Sequence, residues 1–254
     1  MQRPYIYAIP MPLLSVSHLS LSLNGQHILK NVTFTVDQGE VVGLIGPNGS
    51  GKTTLFNVLS GFLKPTGGSI HLRDADITNV SPAKRAQLGI GRVFQNFGIF
   101  REMTLEENIL VALEALPKEQ RFLLGNLKDV VKGTLDMVGL AGHGKKKAGS
   151  LSGGQMRLLE IARTLKSGKE LFLLDEPTAG VSPKMTKQVA DLIAELKKEK
   201  KTVLIIEHDL PFISSICDRV MVLDVGGVVL NGKPQEIKHD KKLQEIYFGA
   251  DPTA

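Results

Sequence analysis

Nine residues, Gly46-Pro47-Asn48-Gly49-Ser50-Gly51-Lys52-Thr53-Thr54, constrain this chain more than any other stretch. They carry the spacing G-x-x-x-x-G-K-[ST] between a strand pattern and a helix pattern. Val41-Val42-Gly43-Leu44-Ile45 before them reads as a buried strand, and residues 53–59 after them read as the start of a helix. In a strand–loop–helix unit the glycines let backbone N–H groups converge on an anion, and the helix N-terminus adds the positive end of its dipole. Lys52 would reach the β- and γ-phosphates of a nucleotide, and the Thr53 hydroxyl would bind Mg²⁺. A plain glycine-rich turn needs neither group.

The chain has 254 residues, 42% hydrophobic and 22% charged, enough to bury an α/β core without covalent staples. Its single cysteine, Cys217, excludes an internal disulfide framework and reads as a small core residue. The net charge of +5 lies largely in short lysine runs, 145–147, 197–201 and 241–242, of the kind that mark solvated faces and helix ends. No aromatic residues interleave with them, so stacked bases and a nucleic-acid partner are not expected. No apolar run approaches membrane-spanning length. Residues 1–13, broken by Pro10 and Pro12, read as a flexible leader.

Along the chain, Leu14 and Val16, then Leu19, Leu21 and Leu23, alternate with polar residues with one change of phase. A turn at Asn24-Gly25 follows, then a second alternating strand through Val32, Phe34 and Val36. Residues 64–68 read as a loop, Ile70 and Leu72 as a short strand, Ser81-Pro82 as a helix start, and residues 90–94 as a strand ending at Gln95. Between residues 95 and 149 the character becomes helical. Thr104-Leu105-Glu106-Glu107 has capping-box spacing, apolar residues recur at helical intervals to Leu116, and 123–140 continues as helix. Residues 142–149 read as a linker. Leu151-Ser152-Gly153-Gly154-Gln155 then opens a helix over 156–166 with Ser152 as N-cap, a second potential anion-binding terminus. Two buried strands follow, one through Leu171-Phe172-Leu173-Leu174 ending in Asp175-Glu176, the other through Val203-Leu204-Ile205-Ile206 ending in Glu207-His208. Buried carboxylates such as Asp175-Glu176 at a strand end need a cation, a proton or several donors, and beside a phosphate loop Mg²⁺ would supply the missing charge. A helix begins at Ser182-Pro183, a closing hairpin turns at Gly226-Gly227, and 241–247 forms a last helix.

In this order the residues resemble the ATP-binding cassette ATPases over essentially the whole chain after the leader: the phosphate loop, Gln95, the Leu151–Gln155 signature stretch, Asp175-Glu176 and His208. The resemblance implies a P-loop NTPase (RecA-like) α/β core with an N-terminal antiparallel β subdomain and an inserted α-helical subdomain. As one ATPase domain over 14–254, the core would take 14–94 and 150–254, and the insert 95–149. Phe94-Gln95-Asn96, Phe100-Arg101-Glu102-Met103-Thr104 and the run 155–163 look like the ATPase of branched-chain amino acid importers, with lipopolysaccharide-export ATPases as the nearest alternative.

The same resemblance implies site roles. Gly46, Pro47, Asn48, Gly49, Ser50, Gly51, Lys52, Thr53 and Thr54 would hold ATP. Ser152, Gly153, Gly154 and Gln155 would meet the γ-phosphate held by a second ATPase subunit, packed head to tail. Thr53 and Gln95 would serve Mg²⁺, and Asp175 would do so through a water; Gln95 and Glu176 would act on the attacking water and His208 on the γ-phosphate. Where the family stacks an aromatic on adenine, this chain has Leu23, which forgoes a contact worth about 1 to 3 kcal/mol. After Glu176 the family often carries an aspartate; here Ser182 takes the place and reads as a helix cap. The implied partners are that second subunit and integral membrane permeases, with a substrate-binding protein, at the cytoplasmic face of the membrane. Phe97, Ile99 and Phe100, at the root of the insert, fit either an exposed binding patch or core. DNA-repair ATPases share these motifs but carry long coiled-coil or zinc-bearing inserts, which this chain lacks.

Overall fold

The structure, a computed structural model, describes residues 11–94 and 98–248; Gln95, Asn96 and Phe97 lie outside the described residues. In chain order come β1 (Leu14–Leu23), β2 (Gln26–Val36), β3 (Val41–Ile45), α1 (Lys52–Leu59), β4 (Gly67–Leu72), β5 (Ala75–Asp76), α2 (Pro82–Gln87) and β6 (Ile90–Val93). The helical α3 (Leu105–Glu114), α4 (Lys118–Leu123) and α5 (Leu127–Met137) precede α6 (Gly153–Leu165), β7 (Leu171–Asp175) and α7 (Pro183–Lys198). The chain then runs through β8 (Thr202–Ile206), α8 (Leu210–Ile216), β9 (Arg219–Asp224), β10 (Gly227–Gly232), α9 (Pro234–Lys238) and α10 (Lys241–Phe248).

Two sheets form, one antiparallel with order β2-β1-β4-β5, the other with order β10-β9-β3-β8-β7-β6. In the second, β9, β3, β8, β7 and β6 run parallel, and β10 returns antiparallel to β9. The phase change expected in β1 is a bulge: the register with β2 slips between Val16 and Leu19, His18 has φ 51°, and Leu14, Val16, Leu19 and Leu21 are all buried. One extra residue turns both halves of the strand inward. Asn24 and Gly25, both at positive φ, make the hairpin turn.

The uninterrupted apolar runs of the parallel strands split between two cores. Val41, Ile45, Phe172, Leu174, Val203 and Ile205 pack with residues of α3, α5, α6 and α7. Val42, Leu44, Leu171, Leu173, Leu204 and Ile206 pack with α1 and the antiparallel sheet. Strands covered on both faces need no polar alternation, which is why they read as continuous apolar stretches. Cys217 is buried among the first set, and desolvation pushes its thiol pKa up. The C-terminal carbonyls of α1 are satisfied by the buried Arg85, whose Nη1 donates to Val58 at 2.7 Å and Leu59 at 2.8 Å.

Several boundaries differ from the sequence reading. Leu13, assigned to the leader, is buried, and its carbonyl accepts from the Arg73 N–H at 2.7 Å. Gly67 and Gly68 already belong to β4. The helix expected over 123–140 is broken: Gly125 adopts φ 68° and the Asn126 side chain caps a new helix by accepting from the Lys128 N–H at 3.0 Å. Among the described residues between β6 and α6 there are therefore three α-helices, α3 entering through the expected Thr104/Glu107 capping box. Helix α6 starts at Gly153 rather than 156, and α8 and α9, of seven and five residues, were not anticipated. Of Phe97, Ile99 and Phe100, Ile99 is core and Phe100 is exposed, one for each reading, and Phe97 lies outside the described residues.

Candidate active site

The loop after β3 is shaped by close approach. Gly46 has φ 148°, and a Cβ there would lie 2.0 Å from the Leu223 carbonyl oxygen, so only glycine fits beside β9. Gly51, the N-cap of α1, has φ 105° and no side-chain cap, which leaves the first N–H groups of the helix open toward an anion. Lys52 is buried, and its ammonium donates to the carbonyls of Gly46 at 2.8 Å and Pro47 at 2.9 Å, spanning the mouth of the loop. Burial lowers its pKa, opposed by the negative charges of Glu176 and Asp175. Asn48, Gly49 and Thr53 are exposed, Pro47 and Thr54 half-buried, and Ser50 buried. The Gly46 N–H donates to the Tyr247 hydroxyl at 3.0 Å, tying α10 to the loop.

The carboxylates lie on the same edge. Leu44 of β3 and Asp175 of β7 both pair with Ile206 of β8, so three strand ends stand in one row, the place where open α/β sheets bind ligands. Asp175 is 1% exposed, and burial raises its pKa. Part of the compensation comes from the protein itself: Arg92 of β6 pairs with its Oδ2 at 3.3 Å. Glu176 follows at φ 48°, a conformation costly for a non-glycine residue and concentrated at functional sites. Its N–H is held by the Ile206 carbonyl at 3.0 Å, and its Oε1 lies 3.0 Å from Nε2 of His208. Glu207, buried, accepts from the Thr178 N–H at 2.8 Å and hydroxyl at 2.6 Å, and from the His208 N–H at 3.2 Å. It thereby locks the turn after Glu176 to the end of β8; burial pushes its pKa up.

Asp175 Oδ1 and Ser50 Oγ are buried without a hydrogen-bond partner, a rare condition that points to a missing ligand. Among the described residues no group of three or more His, Cys, Asp or Glu could hold a metal. A hard cation bound by one carboxylate and one hydroxyl, with phosphate oxygens completing its shell, is the pattern of Mg²⁺. Thr53 and Asp175 fit that pattern, and Gln95 falls outside the described residues.

The second helix terminus is built differently. The Ser152 hydroxyl accepts from the Gln155 N–H at 3.3 Å, and Gln155 Oε1 accepts from the Ser152 N–H at 3.0 Å, a complete capping box. Ser152 and Gly153 are exposed. Further along α6 the buried Glu160 accepts from the Gly98 N–H at 3.0 Å and from Arg157 at 3.1 Å, while Arg157 also donates to the Phe94 carbonyl and Arg163 to the Gly98 carbonyl. Helix α6 thus grips the chain on both sides of residues 95–97. Ser182 caps α7, accepting from the Met185 N–H at 3.4 Å, as the sequence implied. Leu23, 41% exposed, ends β1 opposite Gln26. Arg92 and Tyr247 carry no motif, and the structural parts of Glu160 and Glu207 were not identified from sequence; the run 155–163 and the Glu207-His208 dipeptide at a strand end were the available signals.

A glycine-bound loop with a buried lysine, facing two carboxylates and a histidine on the C-terminal edge of a parallel sheet, defines a nucleotide-phosphate-binding α/β protein. The family described as ABC transporter matches residues 29–179. The high-affinity branched-chain amino acid transport ATP-binding protein LivG of Escherichia coli K12 is 41% identical over 251 residues, covering 94% of this chain and 98% of its own. The lipopolysaccharide export system ATP-binding protein LptB of Acidithiobacillus ferridurans is 36% identical over 244 residues, covering 93% of this chain and 97% of its own. Among solved structures, the ADP conformation of MJ1267, an ATP-binding cassette of an ABC transporter, is 34% identical with a TM-score of 0.81, covering 94% of this chain and 100% of that one. The chain belongs to the ABC transporter family, as an ATP-binding subunit.

Proposed function

We propose that this chain binds and hydrolyses Mg·ATP to drive transport by membrane subunits, and that the cargo is branched-chain amino acids or similar solutes. The observation that carries the reading is the pairing of an uncapped, lysine-bearing loop with a buried carboxylate that has one oxygen unpartnered. On this reading residues 46–54 cradle the triphosphate, with Lys52 leaving its loop carbonyls for the β- and γ-phosphates. Thr53 and Asp175, with Gln95, hold Mg²⁺, which supplies positive charge to the phosphates. Glu176, oriented by its backbone bond to β8 and by His208, polarises the attacking water, and His208 contacts the γ-phosphate. Most of the acceleration comes from positioning and charge stabilisation. Ser152, Gly153 and Gly154, with Gln155, serve the γ-phosphate of a second cassette subunit, this chain or a homologue. Leu23 lies against adenine.

Residues 14–94 and 150–254 act as the nucleotide-binding core and 95–149 as the insert that receives the membrane subunits. No helix among the described residues is long and apolar enough to cross a membrane, which fits a peripheral subunit at the cytoplasmic face. LivG supports amino acid import; LptB keeps export of a lipopolysaccharide as the second reading. Co-purification from detergent-solubilised membranes tests the assignment. Recovery with two polytopic subunits and a solute-binding protein is expected; recovery with DNA and no membrane subunit contradicts it.

A further inference from the structure

Arg92 joins parts of the site that are far apart in sequence. Its side chain is 7% exposed, and its Nη1 donates to Asn57 Oδ1 and to Ser60 Oγ, each at 2.7 Å. Its Nη2 donates to Asp175 Oδ2 at 3.3 Å. The guanidinium carbon lies 4.8 Å from the Phe94 ring centroid and 5.8 Å from that of Phe62, and those rings meet edge to face at 5.6 Å. Asn57 lies in α1 and Ser60 caps its end; Asp175 ends β7. One planar group therefore ties the helix that begins with Lys52 and Thr53 to the strand that ends in Asp175. It engages Oδ2 and leaves Oδ1 as the oxygen without a partner. A lysine ammonium, a point charge on a flexible stem, could not hold this fork while stacked on an aromatic ring.

We propose that Arg92 is a positioning residue for Mg²⁺ binding, fixing the Asp175 carboxylate against the phosphate-loop helix so that Oδ1 is kept for the cation. The proposal rests on the reading of Asp175 given above. Two effects oppose each other at this position. The guanidinium charge repels a divalent ion, whereas the fork orients its ligand. Groups that orient metal ligands typically contribute tenfold or more in metal affinity, so orientation should win.

The test measures the affinity of a fluorescent ATP analogue, mant-ATP, in Mg²⁺ and in EDTA for the full chain and Arg92→Gln. The unaltered protein should bind more tightly in Mg²⁺. Arg92→Gln should lose about tenfold of that gain and keep its affinity in EDTA. The proposal is overturned if the gain survives or grows in Arg92→Gln, if affinity falls equally with and without Mg²⁺, or if the unaltered protein shows no gain. Absence of any mant-ATP binding by the unaltered protein overturns the nucleotide reading, and this proposal with it. Should Arg92→Gln fail to fold by circular dichroism, Asn57→Ala with Ser60→Ala bears the test, since it leaves the ion pair but frees the guanidinium. A smaller loss of the Mg²⁺ gain is then expected, and an unchanged gain overturns the proposal.

Discussion

Helices α1 and α6 both begin at glycine-rich stretches, proposed to meet a nucleotide phosphate of this chain and of a second subunit respectively, yet their N-termini are finished in opposite ways. At α1 the N-cap is Gly51 with no side-chain cap, and Lys52 waits on loop carbonyls. At α6 Ser152 and Gln155 satisfy each other. On the proposed reading the first terminus would be an open receptor for an anion within one chain. The second is closed by its own capping box, and it would contribute only when an already bound phosphate is brought to its exposed face. The difference would explain why one chain carries two half-sites: the loop would bind, and the capped terminus would sense what another subunit has bound.

The largest test of that contrast lies beside the open terminus. Glu176→Gln should lower ATP turnover by about 10² to 10⁴, the range for general-base catalysis, with ATP affinity little changed. Lys52→Ala should instead weaken affinity by about 10- to 100-fold, as expected for a lost charged hydrogen bond. Equilibrium binding and single-turnover hydrolysis separate the two. Equal losses of affinity and turnover in Glu176→Gln would make that residue structural and erase the division of labour.

The glycines should also part company. Gly46→Ala pushes a Cβ to 2.0 Å from a backbone oxygen that cannot yield, whereas Gly154→Ala meets the flexible Met185 sulfur at 2.4 Å. Gly46→Ala should destabilise the fold by about 3 kcal/mol or more, while Gly154→Ala, helped by alanine's helix propensity, should stay within about 1 kcal/mol. Chemical denaturation measures both. Ser152→Ala should cost about 1 kcal/mol of stability through the lost cap and leave ATP affinity of the isolated chain unchanged. A fall in that affinity would mean that the two termini serve one intrachain site.

The smallest effect concerns the frame. Burial raises the Glu207 pKa, so the folded state holds its proton at pH values where the unfolded chain has lost it. Through this group stability falls as pH rises from the ordinary carboxylate range to the raised value. Glu207→Gln should remove that component of the slope, seen in thermal melts taken as pH rises above the ordinary carboxylate range.

The parts legible in the sequence were those with a local signature. The loop, the capping residues Thr104, Ser152 and Ser182, the strand-end carboxylates and the phase change that became the bulge at His18 all declare themselves within a few residues. What escaped depends on contacts across the chain. Arg92 finds Asp175 83 positions away, and Tyr247 finds Gly46 201 positions away; no spacing rule reaches that far. Helices α8 and α9 are too short for periodicity to show, and Gly125-Asn126 broke a helix whose apolar pattern runs on across it. The charge balance at Asp175 was half legible: the need for a cation, a proton or several donors follows from burial, but that Arg92 supplies part of it does not.

Hydrogen–deuterium exchange of the peptides covering residues 46–54 and 151–156 tests the central claim most directly, with Mg·ATP added first to the dilute isolated chain and then to the assembled membrane complex. The account predicts protection of 46–54 in both samples and of 151–156 only in the complex. Protection of 151–156 in the isolated chain, or its absence in the complex, would contradict it.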